Sequence, residues 1–461
     1  MTAGLIPQRA EQHHAEAGLA GRYVSVLLND LGRSEHDACI AVPEHPAAAW
    51  ARSGLMALTG NHDPALCIAP IVSAAQGALA ALKSVAPNTA GLDEIDAALL
   101  LGERAALTGS TRAGATSPGG ACHLLATADD WLAVNLARDD DWALLPAWLE
   151  IDACPDLATL AAELTRRPSA LLIERAGWLG LAVARDQAPQ AAAWCTVHSG
   201  ADWRGTTTMP ARAPRVLDLS SLWAGPLCSH LLQRLGAEVI KVEGWQRPDG
   251  ARRGNADFFN LLHAGKRCVA LDWGTPTGTA QLRALLASAD IVIEGSRPRA
   301  LQQLGIEAEA WVAERPHRTW ISLTGYGRCG PDAERVAFGD DATVAAGLSH
   351  LMHDTTGQRL MVGDALADPL TGLHAALAAW ASWCDGGGRL VGLSLVDVTR
   401  HAACFELPES TAGRRARHAD WQAWLHRHGV IAQPPRARLP VARAASLGAD
   451  SAQILDGLAP C

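Results

Sequence analysis

The 461-residue sequence is poor in tyrosine (two) and phenylalanine (four), so the aromatic content of any core falls to its sixteen tryptophans. It has no CxxC pair. Its eleven cysteines are scattered from Cys39 to Cys461, which argues against a zinc site or a disulfide framework and for a reducing compartment, the cytoplasm. No apolar run is long enough to cross a bilayer: the most apolar stretch, 170–184, is broken by Glu174 and Arg175. The opening MTAGLIPQRAEQHHAEAG has no basic segment followed by an apolar one, so no export signal is expected. Positive charge is also scarce, 39 Lys and Arg against 48 Asp and Glu, a net charge of −9 with no basic patch. Neither nucleic acid nor a membrane surface is therefore an expected partner.

What is present is a globular composition, 49% hydrophobic and 19% charged, with alanine and leucine carrying the apolar share. The length fits two large domains or three smaller ones. Between Arg215 and Asp397 strand and helix patterns alternate. VLDLSS (216–221), AEVIKVE (237–243), CVALDW (268–273), DIVIEG (290–295) and TWISLTGYG (319–327) read as strands. AGPLCSHLLQRLG (224–236) and the stretch from Pro276 to Ala289 read as helices. The alternation predicts a parallel sheet with helices on its faces. Gly386-Gly387-Gly388 reads as a helix cap and turn before the apolar run RLVGLSLVDV.

The sequence also matches itself. Residues 20–32 and 224–236 share AGxxxSxLLxxLG, seven identities in thirteen positions. Gly54-Leu55 and Gly77-Ala78-Leu79-Ala80-Ala81-Leu82 echo, in the same order, Gly347-Leu348 and Gly372-Leu373-His374-Ala375-Ala376-Leu377. Gly21 to Gly54 spans 33 residues and Gly225 to Gly347 spans 122, so the first copy lacks the sheet-forming sequence of the second.

Asp368, followed by Pro369 at the start of a helical run, reads by itself as a helix N-cap with proline at N1. Five blocks supply a second reading. VLDLSSLWAGPLCSHLLQRLGAEVIKVE (216–243), GKRCVALDW (265–273), ADIVIEGSRPRALQQLGI (289–306), ISLTGYGRCGP (321–331) and GDALADPLTGLHAAL (363–377) resemble the class III CoA-transferases. This is the family of formyl-CoA transferase, carnitine CoA-transferase and α-methylacyl-CoA racemase. SPGGACHLLATADDWLAVNLARDDDWALLPAWL (117–149) resembles the family's smaller domain, with its glycine loop, two strands around an acidic turn and a helix bearing tryptophan; SLGADSAQILDGL (446–458) resembles its tail.

The resemblance implies an α/β fold, with a Rossmann-like parallel-sheet large domain plus a smaller α+β domain. The expected organisation is a shortened, mostly helical repeat (1–105), a small domain with the glycine loop (106–205), the large domain (206–398) and a C-terminal tail packing back on it (399–461). It further implies a CoA-transferase that moves CoA between carboxylic acids through an aspartyl-CoA thioester. Acyl-CoA and a carboxylic acid are then the small-molecule partners, the coenzyme A thioester is substrate, and no permanent cofactor or metal is expected. The fused copies imply a monomer or loose homodimer with one composite site.

Within that resemblance Asp368 matches the nucleophile, and Gly119 and Gly120 match the loop that closes over the intermediate, although two glycines also make an ordinary hairpin turn. Asp364 matches a variable site and reads as a polar loop residue; the first copy has Ser73 where the second has Asp368. Trp223 and Ala224 stand in the turn that contacts CoA. Where the family carries basic residues for the nucleotide this chain has Gly244, Gly274 and Gln303, and its Asn-Phe pair is Gly295-Ser296. Lys266, Arg267, Arg297 and Arg299 remain as phosphate partners. A racemase or epimerase, which needs a second base, has Phe338 at the matching position, leaving His350 and His353 as substitutes. A noncatalytic relative that binds an acyl-CoA or a protein partner is the remaining alternative.

Overall fold

The computed structural model describes residues 18–33, 44–200, 202–203 and 212–458. The chain start, Cys39, Cys461 and the expected junction at 205/206 lie outside the described residues. Among the described residues no helix is long and apolar enough to cross a membrane.

The expected hairpin of the small unit forms β1 (Cys122–Ala126) and β2 (Trp131–Asn135), joined by β3 (Ala182–Arg185) into an antiparallel sheet. The apolar stretch 170–184 does not act as one element. Gly180, at φ 68°, ends the helix Ser169–Leu179 and turns the chain into β3. Trp148, on the expected tryptophan-bearing helix Asp141–Leu149, is fully buried and donates its indole N–H to the Leu172 carbonyl at 2.8 Å.

The next strand, β4 (Thr196–Gly200), falls within the segment expected to be small domain but pairs with the large sheet. Its polar, partly exposed sequence carries no strand signal; the edge of the sheet recruits it. The runs after residue 214 are apolar without alternation, as strands covered on both faces must be. They form β5 (Arg215–Asp218), β6 (Glu238–Gly244), β7 (Arg267–Leu271), β8 (Ile291–Glu294), β9 (Thr319–Thr324) and β10 (Arg389–Ser394). The sheet order is β4-β10-β9-β8-β5-β6-β7, with β5 to β10 parallel and β4 antiparallel at the edge. The chain runs outward from β5 to β7 and then returns to β8, so the β5/β8 junction is the crevice where ligands bind such sheets. RLVGLSLVDV is strand only to Ser394, whose hydroxyl then caps the helix Leu395–Cys404 through the Asp397 N–H.

Helix Ala367–Cys384 lies at the centre of the molecule, packed between helices Ala224–Arg234 and Ile71–Val85. All of its residues are buried except Asp368, as its alanine-rich, all-round apolar sequence requires. The self-matching segments are built alike. Helices Leu19–Asp30 and Ala224–Arg234 both end at a leucine followed by a glycine at positive φ, Gly32 and Gly236. A Cβ at Gly77 would lie 2.9 Å from the Ala20 carbonyl oxygen, and one at Gly372 would lie 2.7 Å from that of Ala224. Gly54 and Gly347 both precede a helix in the left-handed region, at φ 88° and 98°. The Tyr23 hydroxyl ties the two halves together by donating to Nε2 of buried His374 at 2.9 Å. Burial holds that imidazole at about 3, so it is neutral and its Nδ1–H donates to the Leu370 carbonyl.

The C-terminal tail contacts both halves rather than the large domain alone. Helix Thr411–Arg427 packs on helix Pro46–Arg52, where Trp424 stacks on His45 at 4.1 Å. The following strap lays Pro435 against Gly54 and Gly102, and Arg438 grips buried Glu103 with two bonds of 2.6 and 2.9 Å. It finishes on β7, where Asp450 accepts from the Cys268 N–H at 2.7 Å.

The matched helix crossings generate a prediction. Gly372→Ala and Gly77→Ala should each lower stability by about 1–3 kcal/mol, the cost of overpacking a close crossing. Urea-denaturation midpoints measure it, and unchanged midpoints would show that the helices are free to separate.

Candidate active site

Asp368 is in the second residue of its helix rather than at the cap; Leu366 is the N-cap, and the Asp368 N–H itself donates to the Ala365 carbonyl at 3.0 Å. The simple capping role therefore does not apply. Its carboxylate accepts the Ala224 backbone N–H, the first residue of the neighbouring helix, and one oxygen touches Gly339, the first residue of helix Gly339–Ala345. Three helix starts thus surround one carboxylate, each favouring its anionic form. Desolvation outweighs them and, with Asp340 and Asp364 nearby, raises the Asp368 carboxyl to about 7.

Asp364 is not a solvated loop residue. Its side chain is 1% exposed and takes two bonds from Arg104, from Nε at 2.9 Å and Nη2 at 2.6 Å. Arg104 comes from the short helix Glu103–Thr108 in the N-terminal segment, 260 residues away in sequence. Its charge favours the anionic forms of both Asp340 and Asp368. The carboxylate of Asp340 accepts the Ala365 N–H at 2.7 Å and the Ser117 hydroxyl, while burial raises it to about 6. Asp341 joins the site to the small sheet: it accepts from Asn135 of β2 at 2.8 Å and from the Phe338 N–H at 2.9 Å.

Gly119 and Gly120 lie in a tight hairpin, in which Ser117 N–H donates to the Cys122 carbonyl and Gly120 N–H to the Ser117 carbonyl, both at 2.8 Å. The turn covers the cluster: a Cβ at Gly119 would lie 3.5 Å from Arg104 Nη2 and 3.6 Å from Asp364 Oδ1. At Gly120, φ is 80° with nothing within 4 Å, a left-handed turn position open on its outer side.

Trp223 is buried before helix Ala224–Arg234, edge-on to Phe258 at 5.3 Å, with the Arg104 guanidinium 5.7 Å from its ring centre. Its indole N–H has no partner among the described residues. Lys266 is not a surface phosphate ligand. It is 4% exposed and held by Ser229 at 2.6 Å, the Pro226 carbonyl at 3.0 Å and Asp218 at 3.2 Å, beneath β5. Arg267 opens β7 and so lies at the amino end of the sheet, near Glu238 and Asp450. Arg297 does stand on the correct edge, exposed in the loop after β8. Arg299 is paired with Glu334 at 3.1 Å. Phe338 starts its helix through its backbone, its N–H donating to Asp341 and its carbonyl accepting from the Ala342 N–H at 3.0 Å, and His350 lies 3.9 Å from Asp354 on helix Leu348–Thr356.

A cavity of about 390 Å³ opens at the carboxyl ends of β5 and β6, lined by Ser221, Glu243, Gly244, Arg247, Asp249 and Trp273. A Cβ at Gly244 would meet the Trp273 indole nitrogen at 2.7 Å, so Trp273 fills the place a longer side chain would need. In the cavity wall, Asp249 anchors the turn before helix Ala224–Arg234: its Oδ1 accepts the Leu222 N–H at 3.0 Å, and Lys241 pairs with Oδ2 at 2.9 Å. That turn needs anchoring because Leu222 is held at φ 69°. Sequence reasoning missed Arg104, Asp340 and Arg247. Arg104 lies outside the blocks with a recognisable pattern, and Asp340 reads as an ordinary first-turn helix acid. Among the described residues no group of three His, Cys, Asp or Glu side chains is arranged to hold a metal ion.

Comparison with known proteins supplies the relationship. Residues 213–432 match the family model of CoA-transferase family III. A succinate–glutarate CoA-transferase of Agrobacterium fabrum is 30% identical over 214 residues, covering 42% of this chain and 54% of that protein. The succinyl-CoA:glutarate CoA-transferase of Homo sapiens is 28% identical over 286 residues, covering 60% and 61%. A solved CAIB/BAIF family protein from Brucella suis is 26% identical with a TM-score of 0.36, covering 50% of this chain and 60% of that one. The chain spans about half to three fifths of the length of the curated relatives it matches. Over residues 213–432, this chain is similar to CoA-transferase family III.

Proposed function

We propose that this protein is a CoA-transferase that moves CoA from an acyl-CoA to a carboxylic acid through an aspartyl-CoA thioester on Asp368. The observation that carries the reading is that Asp368 is the one residue of its helix left partly exposed, with its carboxylate among three helix starts. A carboxylate oxygen of Asp368 attacks the donor thioester carbonyl, the C–S bond breaks, and a mixed anhydride and CoA thiolate result. The thiolate then attacks the aspartyl carbonyl and releases the donor acid. The acceptor carboxylate reverses both steps and restores Asp368. A carboxyl raised to about 7 is a stronger nucleophile than an ordinary aspartate once it is ionised.

The hairpin at Gly119 and Gly120 is read as the screen over the intermediate. The cavity with Arg247 and Trp273, together with Arg297 and the Trp223-Ala224 turn, is read as the path of CoA. The matched glycine crossings support a fused pair of copies in which the N-terminal copy, with Ser73 at the nucleophile position, serves the site of the other. That arrangement favours one site per chain and a monomer or loose homodimer.

Intact-mass analysis after mixing with an acyl-CoA tests the nucleophile. A CoA adduct is expected on the native protein and not on Asp368→Asn, whose folding should be unchanged; full turnover by the Asp368→Asn protein would refute the reading. The pH dependence has a definite sign. Adduct formation requires the anion, so its rate should fall roughly tenfold per pH unit well below 7 and level off above about 8. Stability runs the other way: because the folded carboxyl sits above its ordinary 3.8, this group's contribution declines as pH rises from about 4 towards 7.

Alanine at Gly119 or Gly120 should shift the outcome from transfer towards hydrolysis of the donor thioester, measured as the ratio of free acid to transferred CoA. An unchanged ratio would return the pair to the role of a plain turn. Light scattering should give a mass of one chain, or a dimer that dissociates on dilution; a tight dimer whose activity vanishes on dilution would overturn the self-contained site.

A further inference from the structure

Arg104 has a surplus that its structural partner does not use. Asp364 engages Nε and Nη2, whereas Nη1 makes no hydrogen bond among the described residues. The Arg104 side chain is 31% exposed and that of Asp364 1%, so the pair is buried on one edge and open on the other. Trp223 lies 5.7 Å from the guanidinium on one face, and the Gly119 turn closes over Nη2. The neighbouring cations are committed elsewhere: Lys266 to Asp218, Lys241 to Asp249, Arg252 to Glu243 and Arg438 to Glu103. Any acid that enters here is an anion approaching Asp340, Asp364 and Asp368, and like charges this close repel.

We infer that the open edge of Arg104 binds the carboxylate of the acid that receives CoA, and that it becomes available when Asp368 turns into a thioester. The inference rests on Asp368 being the acylated nucleophile. In the resting protein the field of Arg104 is shared between Asp364, Asp340 and Asp368. Acylation removes the Asp368 charge, and the incoming carboxylate takes its place in that field. One oxygen, held by Arg104, leaves the other to attack the aspartyl carbonyl carbon; the C–S bond breaks, CoA departs as thiolate and the acceptor–aspartyl anhydride forms. The thiolate then attacks the acceptor carbonyl and the electron pair returns to the Asp368 carboxylate. Arginine suits this task because its planar fork grips one carboxylate along one edge and presents further donors to a second.

Asp368→Asn reproduces the neutral state without CoA. Acetate, oxalate and succinate are titrated calorimetrically into the native protein, Asp368→Asn, and Asp368→Asn combined with Arg104→Gln. At about pH 8.5, where the native Asp368 carboxyl is ionised, at least one of the three acids should bind Asp368→Asn roughly tenfold more tightly than the native protein, and Arg104→Gln should abolish the gain. Because Arg104→Gln leaves Asp364 buried without its cation, a third variant adds Asp364→Asn and is checked for a native urea midpoint; it too should lose the gain. Equal affinity with and without Arg104, or no gain for any of the three acids, overturns the inference. The covalent-adduct measurement separates this from the reading beneath it. A native adduct with Arg104-independent anion affinity would refute the acceptor site alone. Arg104-dependent anion binding without any native adduct would refute the nucleophile.

Discussion

The close crossing of helices Ala224–Arg234 and Ala367–Cys384 at Gly372 is the constraint on which the site depends. With no side chain at Gly372, the Ala224 carbonyl sits against its Cα, and the same approach brings the Ala224 N–H onto the Asp368 carboxylate one turn earlier. Moving the helices apart by a methyl group would separate donor from acceptor. The anchors of Leu222 serve the same contact: Asp249, held by Lys241, fixes the strained turn from which Ala224 begins its helix. A buried polar network with no chemistry of its own thus sets the position of the one helix residue that meets solvent.

The second requirement is electrostatic, and it is met from far away in the chain. Three carboxylates crowd the start of the Ala367 helix, and the cation that offsets them, Arg104, comes from the N-terminal segment. That segment is fixed in turn by the C-terminal strap, which grips Glu103, the residue beside Arg104, through Arg438. First segment, sheet and tail therefore form one support for a single pair, Arg104 and Asp364. This explains why the tail spans both halves instead of lying on the large sheet alone.

The departures from the family pattern have local physical reasons. Gly244 is glycine because Trp273 occupies the space beside it, so no basic side chain fits at that strand end without moving an indole. Lys266 is withdrawn into the cluster of Asp218 and Ser229, and Arg267 faces the amino end of the strands. The basic groups at the carboxyl edge are instead Arg247 and Arg297, both exposed in loops that follow strands.

Much of this molecule was legible in order along the chain. Apolar runs without alternation determined the parallel strands, the self-matching AGxxxSxLLxxLG segments determined two alike helices, and GDALADPLTG singled out Asp368. Those features are local: each depends on spacing within a dozen residues. The tertiary structure alone decided what faces Asp368. A polar strand such as β4 joins a sheet only because an edge is open beside it, and nothing around Arg104 distinguishes it from a solvated helix arginine until 260 residues later the chain returns with Asp364. Lys266 shows the converse, a basic residue in a recognisable block whose charge is used up by a carboxylate on another strand. Pairings between distant charges are fixed by packing geometry, which no short stretch of sequence encodes.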